Sequence, residues 1–247
     1  MNFFIPESYD QLKPAQLRWL LSMPSRYPDL NSVEFKTLAF LRFAKIQVVT
    51  KEPDTDDYLI KVGRSLFLVD AEQIYAASRS LDWILFPPKR PWRPERIAGR
   101  RPAQADFADV DFRTFLAVDN LFQGYLQTQN PGILRQIAAQ LLPRPHMPLR
   151  QWELIAIFNW VASVKDFFAR KFSDFFSPVT PEGALGALNA LPTRQQLEDS
   201  MNAQIRALTK GDITREEEIL ALPCWRALTE LNAQAREYRE LEKRTKK

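Results

Sequence analysis

QWELIAIFNWVASVKDFFARKFSDFF, Gln151 to Phe176, is the stretch that decides the fold class. Trp152, Ile155, Phe158, Trp160, Phe167, Phe168, Phe172 and Phe175 are spread around the whole cylinder of a helix drawn through it. A helix that is apolar nearly all round lies inside a protein or inside a bilayer. The eleven residues Leu154 to Val164 are uncharged, but Lys165 and Asp166 follow at once. That run is well short of the ~20 apolar residues a membrane span needs. The stretch therefore reads as the central helix of a soluble, mainly α core.

Composition agrees. A chain of 247 residues forms one large domain or two small ones and has ample material for a core. Hydrophobic residues at 45% and aromatics at 12% describe a globular protein, not a disordered one. Seven glycines are few for folds built on glycine-rich turns. Thirty-four basic against thirty acidic residues give a net charge of +4, which permits an acidic partner without demanding nucleic acid. The single cysteine, Cys224, excludes an intramolecular disulfide framework and fits a reducing cytosol. MNFFIPESYD has neither a basic n-region nor a long apolar segment, so a cytoplasmic location is expected.

Upstream of the central helix, Ser8 with Gln11 has capping-box form, and a helix is expected from about Lys13 until Pro24 ends it. Asn31 with Glu34 caps a second helix running to about Lys45. The period then changes. Gln47–Thr50, Tyr58–Val62 and Ser65–Val69 read as short strands, the last two joined by a tight Gly63-Arg64 turn. Asp54, Asp56 and Asp57 lie in the loop between the first two strands. They lack the glycine and glutamate of a calcium loop, so no metal is expected there. Asp70 with Gln73 caps one continuous helix from Ala71 to about Phe86.

Residues 87–109, PPKRPWRPERIAGRRPAQADFAD, break the pattern. Five prolines forbid a continuous helix or central strand. Lys89, Arg90, Arg93, Arg96, Arg100 and Arg101 face one acid, Glu95, among them. Three readings stand. The stretch is a long solvated connection with Trp92 packed onto the helical body. Or its arginines hold phosphates while Trp92 stacks on a base. Or its prolines present a polyproline II ligand. A domain boundary can fall here, although the apolar faces on both sides are wide enough to call for a shared core.

Further on, Asp111–Gln127 and Gly132–Leu142 read as helices separated by Asn130-Pro131. His146, the only histidine, sits in a proline-bound linker with no second imidazole and no serine–histidine–acid spacing. Ser177 to about Pro192 is a break rich in small residues and is not a phosphate loop. Thr193 with Gln196 caps a helix that Gly211 closes, and Thr214 with Glu217 caps a short one. The last helix runs from Cys224 to about Lys243 with Trp225, Leu228, Leu231 and Tyr238 on one stripe. Its first turns are expected to dock on the body and its last to reach solvent or a partner, which makes that stripe the candidate partner-binding surface. Cys224, without a matching base, reads as a packed thiol.

MNAQIRALTKGDITREEEILALPCWRALTELNAQAREYRELEK, Met201 to Lys243, resembles the C-terminal part of prophage-encoded tail assembly chaperones. The likeness lies in the order of a helix, a Gly211-Asp-Ile-Thr214 turn, a short helix and a helix with Trp225-Arg-Ala-Leu228. IPESYDQLKPAQL (Ile5–Leu17) and VDFRTFLAVDNLFQGYLQTQNPGIL (Val110–Leu134) resemble earlier blocks of the same group. The resemblance implies a helical protein that keeps the tape measure protein soluble while the tail tube polymerises. It implies no catalytic residues.

The expected architecture is a mainly α, helical bundle-like single domain with a small antiparallel β element around residues 47–69. Residues 1–192 would form the body, carrying the hairpin and the basic loop, and residues 193–247 a helical segment packed on it. One histidine, one cysteine and no spaced carboxylate pair speak against an enzyme, and no cofactor or metal is expected. The functional expectation is a tail assembly chaperone whose partner is the tape measure protein. The alternative is nucleic acid bound through Lys89, Arg90, Trp92, Arg93, Arg96, Arg100 and Arg101. No membrane partner is expected, and the oligomeric state stays open.

Overall fold

The computed structural model describes residues 5–53, 55, 57–143, 148–176 and 193–245. Asp54, Asp56, His146 and the 177–192 break lie outside the described residues. The protein is mainly α with one small antiparallel sheet, as the periodicities predict. It divides into two compact units, Met1–Pro88 and Lys89–Lys247, and the division falls at the start of the proline-rich stretch.

The N-terminal unit begins with a 3-10 turn at Tyr9–Gln11 and α1 (Pro14–Arg26). Ser8 makes no side-chain cap; the Gln11 amide oxygen instead accepts from the Glu7 N–H at 2.9 Å. Pro24 does not end α1. It sits in the last turn, where its missing N–H forfeits a single bond and Tyr27 N–H still reaches the Met23 carbonyl. α2 (Ser32–Phe43) is capped as expected: the Asn31 side chain accepts from Val33 and Glu34 N–H, and Glu34 returns a bond to Asn31 N–H. Three strands follow, β1 (Ile46–Lys51), β2 (Asp57–Val62) and β3 (Ser65–Asp70), in the spatial order β1-β2-β3. Gly63 at φ +61° turns β2 into β3, a conformation that costs glycine no steric penalty.

α3 (Ala71–Ser78), capped by Asp70, is shorter than its apolar spacing predicts. The hydroxyls of Ser78 and Ser80 donate back to the Tyr75 and Ala77 carbonyls at 2.7 and 2.8 Å, competing with the helical ladder. The chain tightens into a 3-10 segment, Arg79–Leu85, that still buries Leu81 and Ile84. Leu20, Leu21, Phe40 and Phe43 of α1 and α2 are buried in the same unit. Lys36, buried on α2, pairs with Asp82, and Tyr9 meets Trp83 edge to face at 4.9 Å.

The C-terminal unit is built on α6 (Gln151–Lys171). α4 (Phe112–Thr128) and α5 (Pro131–Leu141) form a hairpin against it, closed by Gln129 in the left-handed region and recapped by Asn130. The predicted single helix to Phe176 breaks at Phe172 (φ −109°, ψ 49°), and α7 (Ser173–Phe176) follows. α8 (Arg194–Thr209) ends with Lys210 and Gly211 both left-handed. Asp212, not Thr214, accepts the capping bond of the next turn, from Thr214 N–H, because Thr214 lies inside a 3-10 turn leading to α9 (Glu216–Leu220). α10 (Cys224–Thr245) closes the unit.

Two backbone bonds clamp the starts of α4 and α10 together: Phe112 N–H to the Leu222 carbonyl and Cys224 N–H to the Val110 carbonyl, at 2.8 and 2.9 Å. Phe168 is the hub of the core. It is fully buried and meets Phe107, Phe115, Phe172 and Trp225 at ring-centroid distances of 5.6 to 6.4 Å. Asp174 on α7 draws Arg236 and Arg239 of α10 to itself. Truncating a fully buried phenylalanine costs about 3–5 kcal/mol. Urea unfolding should thus show Phe168→Ala losing that much from the C-terminal unit and half-buried Phe167→Ala clearly less. Equal losses would contradict Phe168 as the hub.

Candidate functional site

Sequence reasoning points to the basic stretch and to the last helix; the structure adds a third place. Trp92 packs onto the helical body as expected, but the basic stretch is more than a solvated connection. Between Lys89 and Val110 it forms a strap held by side chains of α6 and α10. Its prolines deny it a ladder of its own, so its buried polar groups need partners elsewhere. Trp92 N–H donates to Ser163 Oγ at 3.3 Å, and Ala98 N–H to Glu153 Oε1 at 2.7 Å. The other carboxylate oxygen of Glu153 caps α6 by accepting from Arg150 N–H at 2.8 Å. Trp160 Nε1–H donates to the Ala105 carbonyl at 2.7 Å and Trp225 Nε1–H to that of Asp106 at 2.8 Å. Ile97 is fully buried beneath a two-residue reversal in which Ala98 and Gly99 are both left-handed.

This placement splits the predicted polyanion set. Trp92 is buried, so its face is not open to a base. Arg93 is committed to the fold: its guanidinium donates to the carbonyls of Ala103, Pro94 and Glu95 and lies 5.9 Å above the Trp160 ring. Burial, and next the charge of Arg101, lower its pKa from the ordinary arginine value, while Asp109 and Glu95 act the other way. Arg96 donates to the Gly99 carbonyl at 3.2 Å, and Arg100 is half-buried. Lys89, Arg90, Arg96 and Arg101 are exposed. Arg93 and Arg101 share a polar hollow of about 740 Å³ with Asp106 and Asp109. Both signs of charge meet there, so it does not concentrate the positive potential that phosphates need.

The stripe on the last helix is split as well: its first turns dock on the body, as expected, and only its far end is left for a partner. Leu228 and Leu231 are buried in the core of the C-terminal unit. Trp225 packs among Phe167, Phe168 and Phe172, with the Lys171 ammonium 4.9 Å above its ring. These three residues hold α10 in its own unit, because a helix stripe three or four residues apart buries as one face. Of the four, Tyr238 alone is presented to solvent, at 64% exposure.

The place that the sequence reading missed lies in the N-terminal unit. An open, apolar groove of about 350 Å³ runs between α2, the sheet and α3. Phe40 and Leu41 come from α2, Ile60 and Phe67 from the sheet, and Ile74 from α3, with Gln73 the one polar residue in its wall among the described residues. A signal for it was present. Leu66-Phe67-Leu68-Val69 is an unbroken apolar run, where a strand covered on one face alternates.

Titration separates core from surface chemistry. The Cys224 thiol is fully buried and donates to the Phe107 carbonyl at 3.2 Å, and burial pushes its pKa up to about 12. The folded state then keeps a proton that the unfolded state releases from about pH 9.0, so stability falls as pH rises from there toward 12. Replacing the residue, Cys224→Ala, should flatten that alkaline fall, and the native thiol should resist thiol reagents at pH 8 until the protein is denatured. Rapid labelling of the native protein would contradict the placement. Compared with known proteins, the chain matches no family model, no curated protein and no solved structure.

Proposed function

We propose that this chain is a non-enzymatic binding protein of phage or prophage tail assembly, a chaperone that holds an apolar segment of the tape measure protein during tail morphogenesis in the cytoplasm of the bacterial host. The observation that carries the reading is the open groove between α2, the sheet and α3. Its wall of aliphatic and aromatic side chains suits the apolar face of an amphipathic helix, which docks through a few anchor side chains into such grooves. Its volume is at the small end of binding pockets, enough for anchors and too apolar to position a reacting group. Tyr9 and Cys224, whose pKa values burial raises to about 12, line no part of it. They are core groups, not a poised acid or base.

The client comes from the resemblance of Met201–Lys243, Ile5–Leu17 and Val110–Leu134 to tail assembly chaperones. Nucleic-acid binding through the strap is the weaker reading, because Trp92 and Arg93 are already used by the fold. Co-expression with the tape measure protein of the same prophage tests the proposal. The client should move to the soluble fraction and co-elute, and Ile74→Glu or Leu41→Glu in the groove should cut recovery at least tenfold with helical content unchanged. Unchanged client solubility, or full recovery with both groove variants, would refute it.

A further inference from the structure

The sheet of the N-terminal unit has two edges, and they are treated differently. On β1 the pairing with β2 slips between Val48 and Thr50, and the strand ends at Lys51. A bulge and a lysine are the usual guards against further pairing. β3 has neither. Its six residues, Ser65–Asp70, pair with β2 without a slip and contain no lysine and no proline. Leu66 and Leu68 are 58% and 57% exposed, and Phe67 is 38% exposed.

The two-residue turn at Gly63-Arg64 makes Val62 and Ser65 the closing pair of the hairpin. Hydrogen-bonding direction alternates along an antiparallel strand, so Ser65, Phe67 and Val69 face β2 while the N–H and C=O of Leu66 and Leu68 point outward. No backbone partner beyond the sheet meets them among the described residues.

We infer that β3 pairs antiparallel with β3 of a second copy of this chain, joining the two sheets into one of six strands about a two-fold axis. The register is dictated by the residues. Like faces of the sheet must stay together, because a one-residue slip turns every side chain over. Centring the pair on Phe67 satisfies this and uses the whole strand. Leu66 then stands opposite Leu68 of the second copy, and the outward groups of both are satisfied. At each end, Arg64 stands opposite Asp70 of the second copy. The occupant is a second copy because the strand complements itself: an apolar run with a cation before it and an anion at its end matches its own reverse. Parallel pairing would set Arg64 against Arg64 and Asp70 against Asp70, which is unfavourable. The pairing goes beyond the chaperone reading and needs no client, although Phe67 would bring the two grooves side by side.

Sedimentation equilibrium on the full chain tests it. A species of twice the 28.7 kDa chain mass should appear with rising concentration. Leu68→Pro removes an outward N–H while sparing the β2–β3 ladder, so it should weaken association at least tenfold with the circular dichroism of the fold retained. The register has its own readout. Opposed residues of a non-hydrogen-bonded pair lie roughly 4.5 Å apart between Cα atoms, within disulfide range. Under oxidised glutathione, Phe67→Cys should give a covalent dimer, whereas Leu66→Cys and Leu68→Cys, diagonal to their own copies, should not. Cys224 is buried and does not compete. A monomer at all concentrations, a dimer indifferent to Leu68→Pro, cross-linking at 66 or 68 as fast as at 67, or an edge that takes up only an unrelated extended peptide would each overturn the inference.

Discussion

A proline-rich segment buried against a helix cannot satisfy its own backbone, and the C-terminal unit is arranged around that constraint. α6 supplies Glu153, Trp160 and Ser163 to the strap, and α10 supplies Trp225 and Cys224. Four of these five side chains also have a second task. Glu153 caps α6, Ser163 returns a bond to the Trp160 carbonyl, and the two indoles fill the aromatic core. A buried polar group left without a partner costs about 1–3 kcal/mol. The strap and the core therefore stand or fall together.

That coupling explains why local signals were readable and the strap was not. Asn31, Asp70, Asn130 and Thr193 cap helices through bonds to residues two or three positions away, so their effect is written in adjacent letters. The Gly63-Arg64 turn is equally local. The strap's partners lie 55 to 119 positions away, and nothing in PPKRPWRP names them. Where local signals competed, the pattern misled. The apolar spacing after Ala71 suggests one helix to Phe86, but Ser78 and Ser80 turn their hydroxyls inward and tighten it. Pro24 has the look of a stop, yet at a helix end it forfeits too little to act as one.

The candidate sites show the same limit from the other side. The spacing of Trp225, Leu228 and Leu231 marks one stripe, but a stripe does not say whether its cover comes from the same chain. Phe168 and Phe172 pack on Trp225 here, and Leu228 and Leu231 are buried in the same core. Arginines in the strap count as positive charge in the composition, yet Arg93 is held by three carbonyls and an indole face. The N-terminal unit is the reverse case. The unbroken run Leu66–Val69 hints at apolar surface on both faces of its strand, but the arrangement of α2, the sheet and α3 is what reveals how much of it stays open. Large exposed apolar patches in a folded unit mark binding surfaces.

The two units thus divide the work. One is closed over an aromatic core and tied by a strap; the other keeps an apolar groove and an unguarded strand edge. Native-state hydrogen exchange across the strap tests the first half most directly. The amides of Trp92, Ala98 and Phe107 should exchange as slowly as those in the middle of α6, through unfolding of the whole C-terminal unit. Exchange of these amides at the rate of an unstructured peptide, with α6 still protected, would contradict the account.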